Sequence, residues 1–322
     1  MLDSTGPDLR NMHALVTGVE GFLGRALAKH LRRAGVQVVG IDLYDSGMDL
    51  SSDIEYHQTD ILDFDLLFNM VSRLPSKNAN NTVVFHLAGQ SHVGKCRAEP
   101  LKALALNVMG TANLLEACRL ANVKWFIFPS TALVYATPAL FPVKENDAVR
   151  ASSIYAATKL ASESLLQGYS SDYGFTCRIA RLGNVYGPGG MPESVVGTIL
   201  RQVKSGGPIL LKTLAPVRDF IYRDDVVRGL IALATHGREP GCEIFNLSSG
   251  IPTSVRELAI AACRVSHLEA KITETEAQPG DAEDKLVLSI QRLAEQTQWR
   301  PEWTLEDGLG QTLSEMESVK NE

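Results

Sequence analysis

This sequence predicts an α/β protein built on a doubly wound parallel sheet, on three observations. Over residues 13 to 182, short apolar runs alternate with segments of helical periodicity. Three glycines, Gly18, Gly21 and Gly24, fall three apart where the first apolar run gives way to the first helical pattern, in "ALVTGVEGFLGRALAKHL". Past about residue 183 the texture changes to a glycine- and proline-rich loop, "GNVYGPGGMPES", then short elements and an acidic tail from about 269, which marks a smaller lobe. Strands that alternate with helices pair in parallel, with helices on both faces of the sheet.

The elements follow in order. "HALVTG" is a short buried strand ending in glycine, and "FLGRALAKHLRRAG" is an amphipathic helix stopped by Gly35. "VQVVGIDL", "IEYHQTDI" and "NTVVFHLAG" read as the second, third and fourth strands. "LKALALNVMGTANLLEACRLANV" is one long helix and "KWFIFPST" a fifth strand. "SSIYAATKLASESLLQGYSSDYG" is a helix whose opening serines suit its N-cap, and "FTCRIARLGNVYG" is the sixth strand. A Rossmann-like domain is therefore expected over 11–182. "DFIYRDDVVRGLIALATH" looks like a strand and helix that return to it over 219–248, leaving a partly discontinuous substrate-binding lobe at 183–218 and 249–322.

Composition narrows the class. A chain of 322 residues accommodates a large α/β domain with an added lobe. The net charge of -6 is spread with both signs mixed and no basic stripe with interleaved aromatics, so no nucleic-acid partner is expected. No apolar stretch reaches the roughly 20 residues that span a bilayer, and "MLDSTGPDLRNMH" lacks the apolar core of a signal peptide. A cytoplasmic protein without a membrane partner is expected. The five cysteines are scattered without a CxxC pair, which predicts reduced thiols, no disulfide framework and no metal site.

The glycine triplet raises the first chemical expectation. A dinucleotide site needs a tight turn after the first strand, a backbone able to approach a pyrophosphate, and a helix N-terminus aimed at it. Asp42, 18 residues beyond Gly24, ends the second strand. A carboxylate there accepts hydrogen bonds from ribose hydroxyls and repels a 2′-phosphate, so NAD is expected over NADP. In "SIYAATKLA", Tyr155 and Lys159 stand at i and i+4, on one helix face. An ammonium beside a phenol is expected to lower the phenol's pKa, preparing Tyr155 to exchange a sugar hydroxyl's proton while hydride moves to NAD. Ser130 and Thr131 both end the fifth strand, where such sheets bind ligands.

With these residues in place, the chain resembles the extended short-chain dehydrogenase/reductase family, in its NAD-dependent epimerase/dehydratase group acting on nucleotide sugars. The resemblance runs almost end to end: "TGVEGFLG", Asp42, "TDI" at 59–61, "HLAG" at 86–89, "NVMGT" at 107–111, "PSTALVY", "YAATK", "RLGNVYGPGG", "RDFIYRDDV" and "PGD" at 279–281. It implies cofactor contacts from Gly18, Gly21, Phe22, Leu23 and Gly24, with Asp60 and Ile61 bracketing adenine. Leu87, Ala88 and Gly89 would line the phosphates and ribose, and Asn107 the nicotinamide end. Thr131, four before Tyr135, matches the catalytic hydroxyl, with Tyr155 the acid/base and Lys159 on the nicotinamide ribose. Asn184 and Arg218 would hold the substrate's phosphates; the alternative for Arg218 is an ion pair with Asp219. A homodimer is implied, through the helices around 101–120 and Tyr155.

Departures from the pattern sort the reactions. The family's 4,6-dehydratases carry Asp-Glu after the catalytic threonine, where this chain has Ala132 and Leu133. Its decarboxylases use a glutamate where Leu133 stands. The arginine usual after "PGD" is replaced by Glu283. The expected reaction is 4-epimerisation of a nucleotide-diphosphate sugar, a UDP-hexose favoured, through a 4-keto intermediate. A dehydratase (4,6- or 5,6-elimination) is the alternative, with His92 and Cys96 in "QSHVGKCRAE" facing the sugar. A 4-keto-sugar reductase is third.

Overall fold

A computed structural model describes residues 9, 12–44, 54–74, 81–136, 140–276 and 284–318. The chain divides into two compact units. The first comprises 1–137, 147–181 and 229–245, the second 138–146, 182–228 and 246–322.

The first unit is organised on a seven-stranded sheet. Its strands are β1 (His13–Thr17), β2 (Gln37–Asp42), β3 (Glu55–Gln58), β4 (Thr82–His86), β5 (Trp125–Thr131), β6 (Thr176–Leu182) and β10 (Gly241–Leu247), in the order β10-β6-β5-β4-β1-β2-β3. β3, β2, β1, β4 and β5 pair in parallel, β1 standing opposite both Gln37–Ile41 and Thr82–His86. The order reverses at β1 and β4, so the loops leaving their C-terminal ends diverge and open a crevice. β1, β4 and β5 are buried almost throughout, which is why they read as apolar runs without alternation. Leu15, Ile41, Val84, Phe126 and Phe128 form the core with Leu114, Leu115 and Leu166 from the covering helices.

Helix α1 (Phe22–Arg33) follows β1, and α2 (Phe64–Ser72), capped by the Asp63 carboxylate, follows β3. The long helix expected from 101 runs without a break from Pro100 to Leu120, with a π-helical turn inside it, and a short helix precedes it. α3 (Val93–Ala98) and α4 (Pro100–Leu104) lead into a π-helical turn, Ala105–Met109, and then α5 (Gly110–Leu120). α6 (Ile154–Tyr173) begins at Ser153, whose hydroxyl accepts the Ala156 N–H, and ends at Gly174 in the left-handed region.

In the second unit, β9 (Val217–Tyr222) pairs with β7 (Asn184–Tyr186), β11 (Pro252–Ser254) and β13 (Lys285–Leu286), while β12 (Ile272–Glu274) pairs with β8 (Ile209–Leu211). Its core gathers residues of α7 (Val195–Ser205), α9 (Val255–Val265) and α11 (Leu305–Ser318) around Phe220 and Tyr222. β9 lies within the segment read as returning to the first unit, yet it belongs to this second sheet. The return runs over 229–245, through the later part of α8 (Arg223–Thr235) and into β10.

Candidate active site

The glycine loop is shaped by close approach. Gly18 has φ +68°, and a side chain on it would collide with Ala88 N at 2.7 Å and Leu87 C at 2.9 Å. A Cβ on Gly24 would lie 2.1 Å from Gly18 O, so only glycine lets α1 pack against the turn. Gly21 is the N-cap of α1, and the helix starts with no side-chain cap and no acidic residue in its first turn. A helix start left in this state, at Phe22 and Leu23, suits the anionic pyrophosphate of a dinucleotide. Asp42 is pinned by two backbone N–H groups, of Glu20 (2.9 Å) and Leu43 (2.8 Å), which fix its carboxylate beside the loop. Asp60 accepts the Leu62 N–H (2.9 Å), and Ile61 is buried over Gly110, where any Cβ would strike its side chain at 2.4 Å. This local chemistry fits NAD: a glycine cradle, an uncapped helix start and an oriented carboxylate.

The loop leaving β4 carries Leu87, Ala88 and Gly89, and a hydrogen-bond chain holds it. Thr111 Oγ1 donates to Asn107 O (2.6 Å), so it must accept from His86 Nε2 (2.9 Å). His86 Nδ1 is then an acceptor, for Thr17 Oγ1 at 2.8 Å, and Thr17 Oγ1 in turn accepts the Ala88 N–H at 3.1 Å. Every proton is assigned with the ring neutral, and complete burial holds His86 down at about 3. Asn107 sits in the π-helical turn. Its side chain clamps Gln90 from both sides, its Nδ2 also donates to Thr158 Oγ1 (2.9 Å), and a Cβ on Gly89 would lie 2.7 Å from its Oδ1. The amide expected at the nicotinamide end is thus committed to shaping the loop. Thr17, His86, Gln90 and Thr111 escape a reading by motif because each partner lies far along the chain.

The structure separates the two hydroxyls at the end of β5. Thr131 is hydrogen-bonded to the Tyr155 phenol, while its Oγ1 accepts the Leu133 N–H at 3.2 Å. Ser130 points away, donating to Glu163 Oε1 at 2.5 Å. Glu163 is also gripped by Arg181, whose Nη2 and Nε reach its two oxygens at 2.7 and 3.2 Å. Lys159 lies on the same helix, its ammonium 4.3 Å from the Phe128 ring centre. Burial pulls Lys159 down to about 8, opposed by the Glu163 charge. Tyr155 departs from the sequence expectation. Burial pushes its phenol up to about 12, and the influence that lowers it is the Thr131 hydroxyl rather than Lys159.

The loop candidates of the alternative reading have other duties. His92 caps α3, its Nδ1 accepting the Lys95 N–H at 3.1 Å, which leaves its proton on Nε2. Cys96 is buried beside Val93, Ala103 and Tyr155, its Sγ donates to Gln90 O at 3.5 Å, and burial pushes its thiol up. The Nδ1 lone pair of His92 is occupied by the cap, and burial holds the Cys96 thiol in its protonated form. Ala132 is buried and Leu133 exposed in a 3-10 turn (Ala132–Val134), at the positions where the resemblance puts the Asp-Glu pair of a 4,6-dehydratase.

Asn184 and Arg218 belong to the second unit. Asn184 is exposed on β7, facing Phe220 across the ladder. Arg218 pairs with Asp284, through Oδ2 at 2.5 Å and the backbone O at 2.8 Å, not with Asp219. Neighbours along a strand point to opposite faces. Asp219 is buried and accepts from Ser249 N and Oγ, Gly250 N and Leu288 N, tying two loops together. "PGD" and Glu283 lie outside the described residues. Among the described residues, no helix is long and apolar enough to cross a membrane, and no group of three His, Cys, Asp or Glu could hold a metal ion.

Comparison with known proteins bears on the family and the fold. Residues 14–248 match the NAD dependent epimerase/dehydratase family. A UDP-glucose 4-epimerase of Mycolicibacterium smegmatis is 32% identical over 318 residues, covering 94% of this chain and 97% of that protein. The solved UDP-glucose 4-epimerase of Thermotoga maritima with UDP-glucose superposes with a TM-score of 0.87 at 28% identity, over 96% of this chain and 100% of that one. The Thermus thermophilus UDP-glucose 4-epimerase in complex with NAD gives 0.83 at 29% identity, again over 96% and 100%.

Proposed function

The chain belongs to the NAD-dependent epimerase/dehydratase family, and we propose that within it the reaction is 4-epimerisation of a nucleotide-diphosphate sugar, a UDP-hexose first among them. One observation carries this reading. Thr131, Tyr155 and Lys159 are assembled at the end of β5 and the start of α6, while the neighbouring positions hold Ala132 and Leu133. That set moves one proton at one hydroxyl and offers no carboxylate to expel a second.

NAD, when bound, supplies the reversible hydride acceptor for C4. The protein's part is proton transfer and positioning. Thr131 hydrogen-bonds O4 and links it to the Tyr155 oxygen. Tyr155 takes the O4 proton as C4 becomes a ketone, and returns it when C4 is reduced on the opposite face. A phenol held near 12 is a poor base at neutral pH, so positive charge must favour its ionised form at the moment of transfer. Lys159 provides one such charge from the same helix and also donates to the nicotinamide ribose. Asn184 and Arg218 are assigned to the substrate's phosphates, since a guanidinium suits a diphosphate.

The elimination reading finds His92 protonated on Nε2 by its capping role. The reductase reading conflicts with the Asp42 carboxylate, which disfavours a 2′-phosphate. Incubation with UDP-, dTDP-, CDP- and GDP-hexoses, followed by NMR and mass, decides the matter. Isomer formation at constant mass supports epimerisation; loss of one water overturns it.

The reading includes a cytoplasmic homodimer. Leu101, Leu104 and Met109 are exposed on one segment, and α6 exposes Ile154 and the small residues Ala157, Ser164 and Gly168. Paired across a two-fold axis, these helices bury that surface. Light scattering showing a 35.0 kDa monomer at micromolar concentration rejects the dimer.

A further inference from the structure

We propose that Glu163 is the counter-charge that keeps Lys159 protonated in its half-buried position, held in register for that task by Ser130 and Arg181. Glu163 is a positioning residue: it acts through Lys159, and the proposal rests on the reading of Lys159 as a cation of the site.

The geometry is specific. Lys159 and Glu163 are four apart on α6, hence on one face one turn apart. Glu163 is 2% exposed, and a carboxylate so buried persists only if its oxygens are satisfied. Oε1 accepts from Ser130 Oγ (2.5 Å) and Arg181 Nε (3.2 Å), and Oε2 from Arg181 Nη2 (2.7 Å). Arg181 is itself buried and lies over the Tyr135 ring, 4.7 Å from its centre. The carboxylate therefore cannot swing toward solvent.

Among the described residues, the other groups around Lys159 leave its charge uncompensated. β4 presents His86, which is neutral, and the Lys159 charge holds it further from protonation. α3 presents Cys96, whose thiol is pushed up by burial. β5 presents the Phe128 ring, and its own helix presents Tyr155 one turn earlier, a phenol held near 12. Among these groups, Glu163 is the anion. Its loss leaves burial, which disfavours an ammonium, without that opposing charge.

The test is direct titration of Lys159 by its 13Cε shift in the full-length protein, assigned by its loss in Lys159→Met. The wild-type midpoint is expected near 8. In Glu163→Gln it should fall by about one pH unit or more, the usual effect of a close opposite charge. Glu163→Asp, which keeps the charge, should titrate above the Gln variant. If Glu163→Gln does not fold, Glu163→Leu with Arg181→Met exchanges the buried pair as a unit. The Lys159 midpoint must again fall, because Glu163 is the charge that favours its ammonium. A midpoint unchanged or raised in the folded variant overturns the proposal. If the midpoint falls while the alkaline limb of sugar turnover stays in place, the counter-charge stands and the reaction assigned to Lys159 is what fails.

Discussion

The side chain of Asn107 and the backbone of Gln90 are hydrogen-bonded in both directions, Gln90 N to Oδ1 at 2.7 Å and Nδ2 to Gln90 O at 3.0 Å. The loop after β4 thus takes its shape from the π-helical turn beneath it. Such a turn frees a carbonyl from the helical ladder, and the Asn107 carbonyl accepts two hydroxyls, Thr111 (2.6 Å) and Ser162 (2.8 Å).

Asn107→Asp tests the clamp without changing its size. Thr158 Oγ1 donates to Tyr155 O (2.8 Å), so it can only accept from position 107, as does Gln90 O. A carboxylate would face both with no proton to give. Losing two buried hydrogen bonds costs about 1–3 kcal/mol, and a loop that no longer holds its shape should bind NAD roughly tenfold to hundredfold more weakly. Calorimetric titration measures this, and a dissociation constant within twofold of wild type rejects the clamp's role in cofactor binding.

His86 makes stability pH-dependent in a defined window. Its folded value of about 3 lies below the 6.5 of the unfolded chain. Between these limits the unfolded state binds the extra proton, so this contribution to stability is whole above about 6.5 and declines as pH falls toward 3. One proton corresponds to a slope of up to about 1.4 kcal/mol per pH unit. Urea unfolding of wild type and His86→Asn from pH 7 to 4.5 reads the difference. Wild type should lose stability more steeply; parallel curves contradict the assignment.

Asp42 predicts the nucleotide that the protein retains. Denaturing the purified protein should release NAD, and NADP as the dominant species overturns the reading. On that reading Asp42→Ala removes the acceptor proposed for charge-assisted ribose hydrogen bonds, worth about 1.5–3 kcal/mol, so NAD affinity should fall at least about tenfold. The Glu20 and Leu43 N–H groups also lose their acceptor; the Leu43 bond is exposed, so water replaces it there, while the Glu20 bond is part-buried and its loss adds a stability cost. Calorimetry against thermal unfolding separates binding from folding.

What the sequence makes legible here is whatever neighbouring residues decide. The glycine turn, Asp42 and the i,i+4 relation of Tyr155 to Lys159 each follow from local spacing. The long helix hides its π-helical turn because the apolar period continues across Ala105–Met109. Strands of two or three residues, such as β7, β11 and β13, are too short to show a period of two, so the second sheet is invisible. Glu163 needs Arg181 and Ser130, and Asn107 needs Gln90, partners fixed only by the fold. The direction of the Tyr155 shift is a contest between burial and charge, and spacing supplies neither magnitude. Alternation along β9 does exclude an Arg218–Asp219 pair, and that signal is local to the strand.

The assignment of Tyr155 gives the sharpest test. Tyr155→Phe keeps the ring packed against Cys96, Ala103 and Val93 and removes only the hydroxyl. Turnover should fall by about 10²–10⁴-fold, the usual worth of a general acid–base group, with NAD and nucleotide binding barely changed. Lys159→Met should damage both turnover and NAD binding, because the proposed reaction assigns that ammonium to the phenolate and the ribose. Thr131→Val, close in shape, should cost less than either, since it removes one hydrogen bond to the phenol while the acid/base itself remains. His92→Ala supplies the contrast. Its imidazole caps α3 through Nδ1 at 3.1 Å, so its loss should lower stability by about 0.5–2 kcal/mol and leave turnover of the folded protein largely intact. If Tyr155→Phe turns over near the wild-type rate while His92→Ala or Cys96→Ser is inactive though folded, the proton is handled on the loop after β4. The reaction would then be an elimination, and Thr131 would be a partner of the Tyr155 ring with no part in the chemistry.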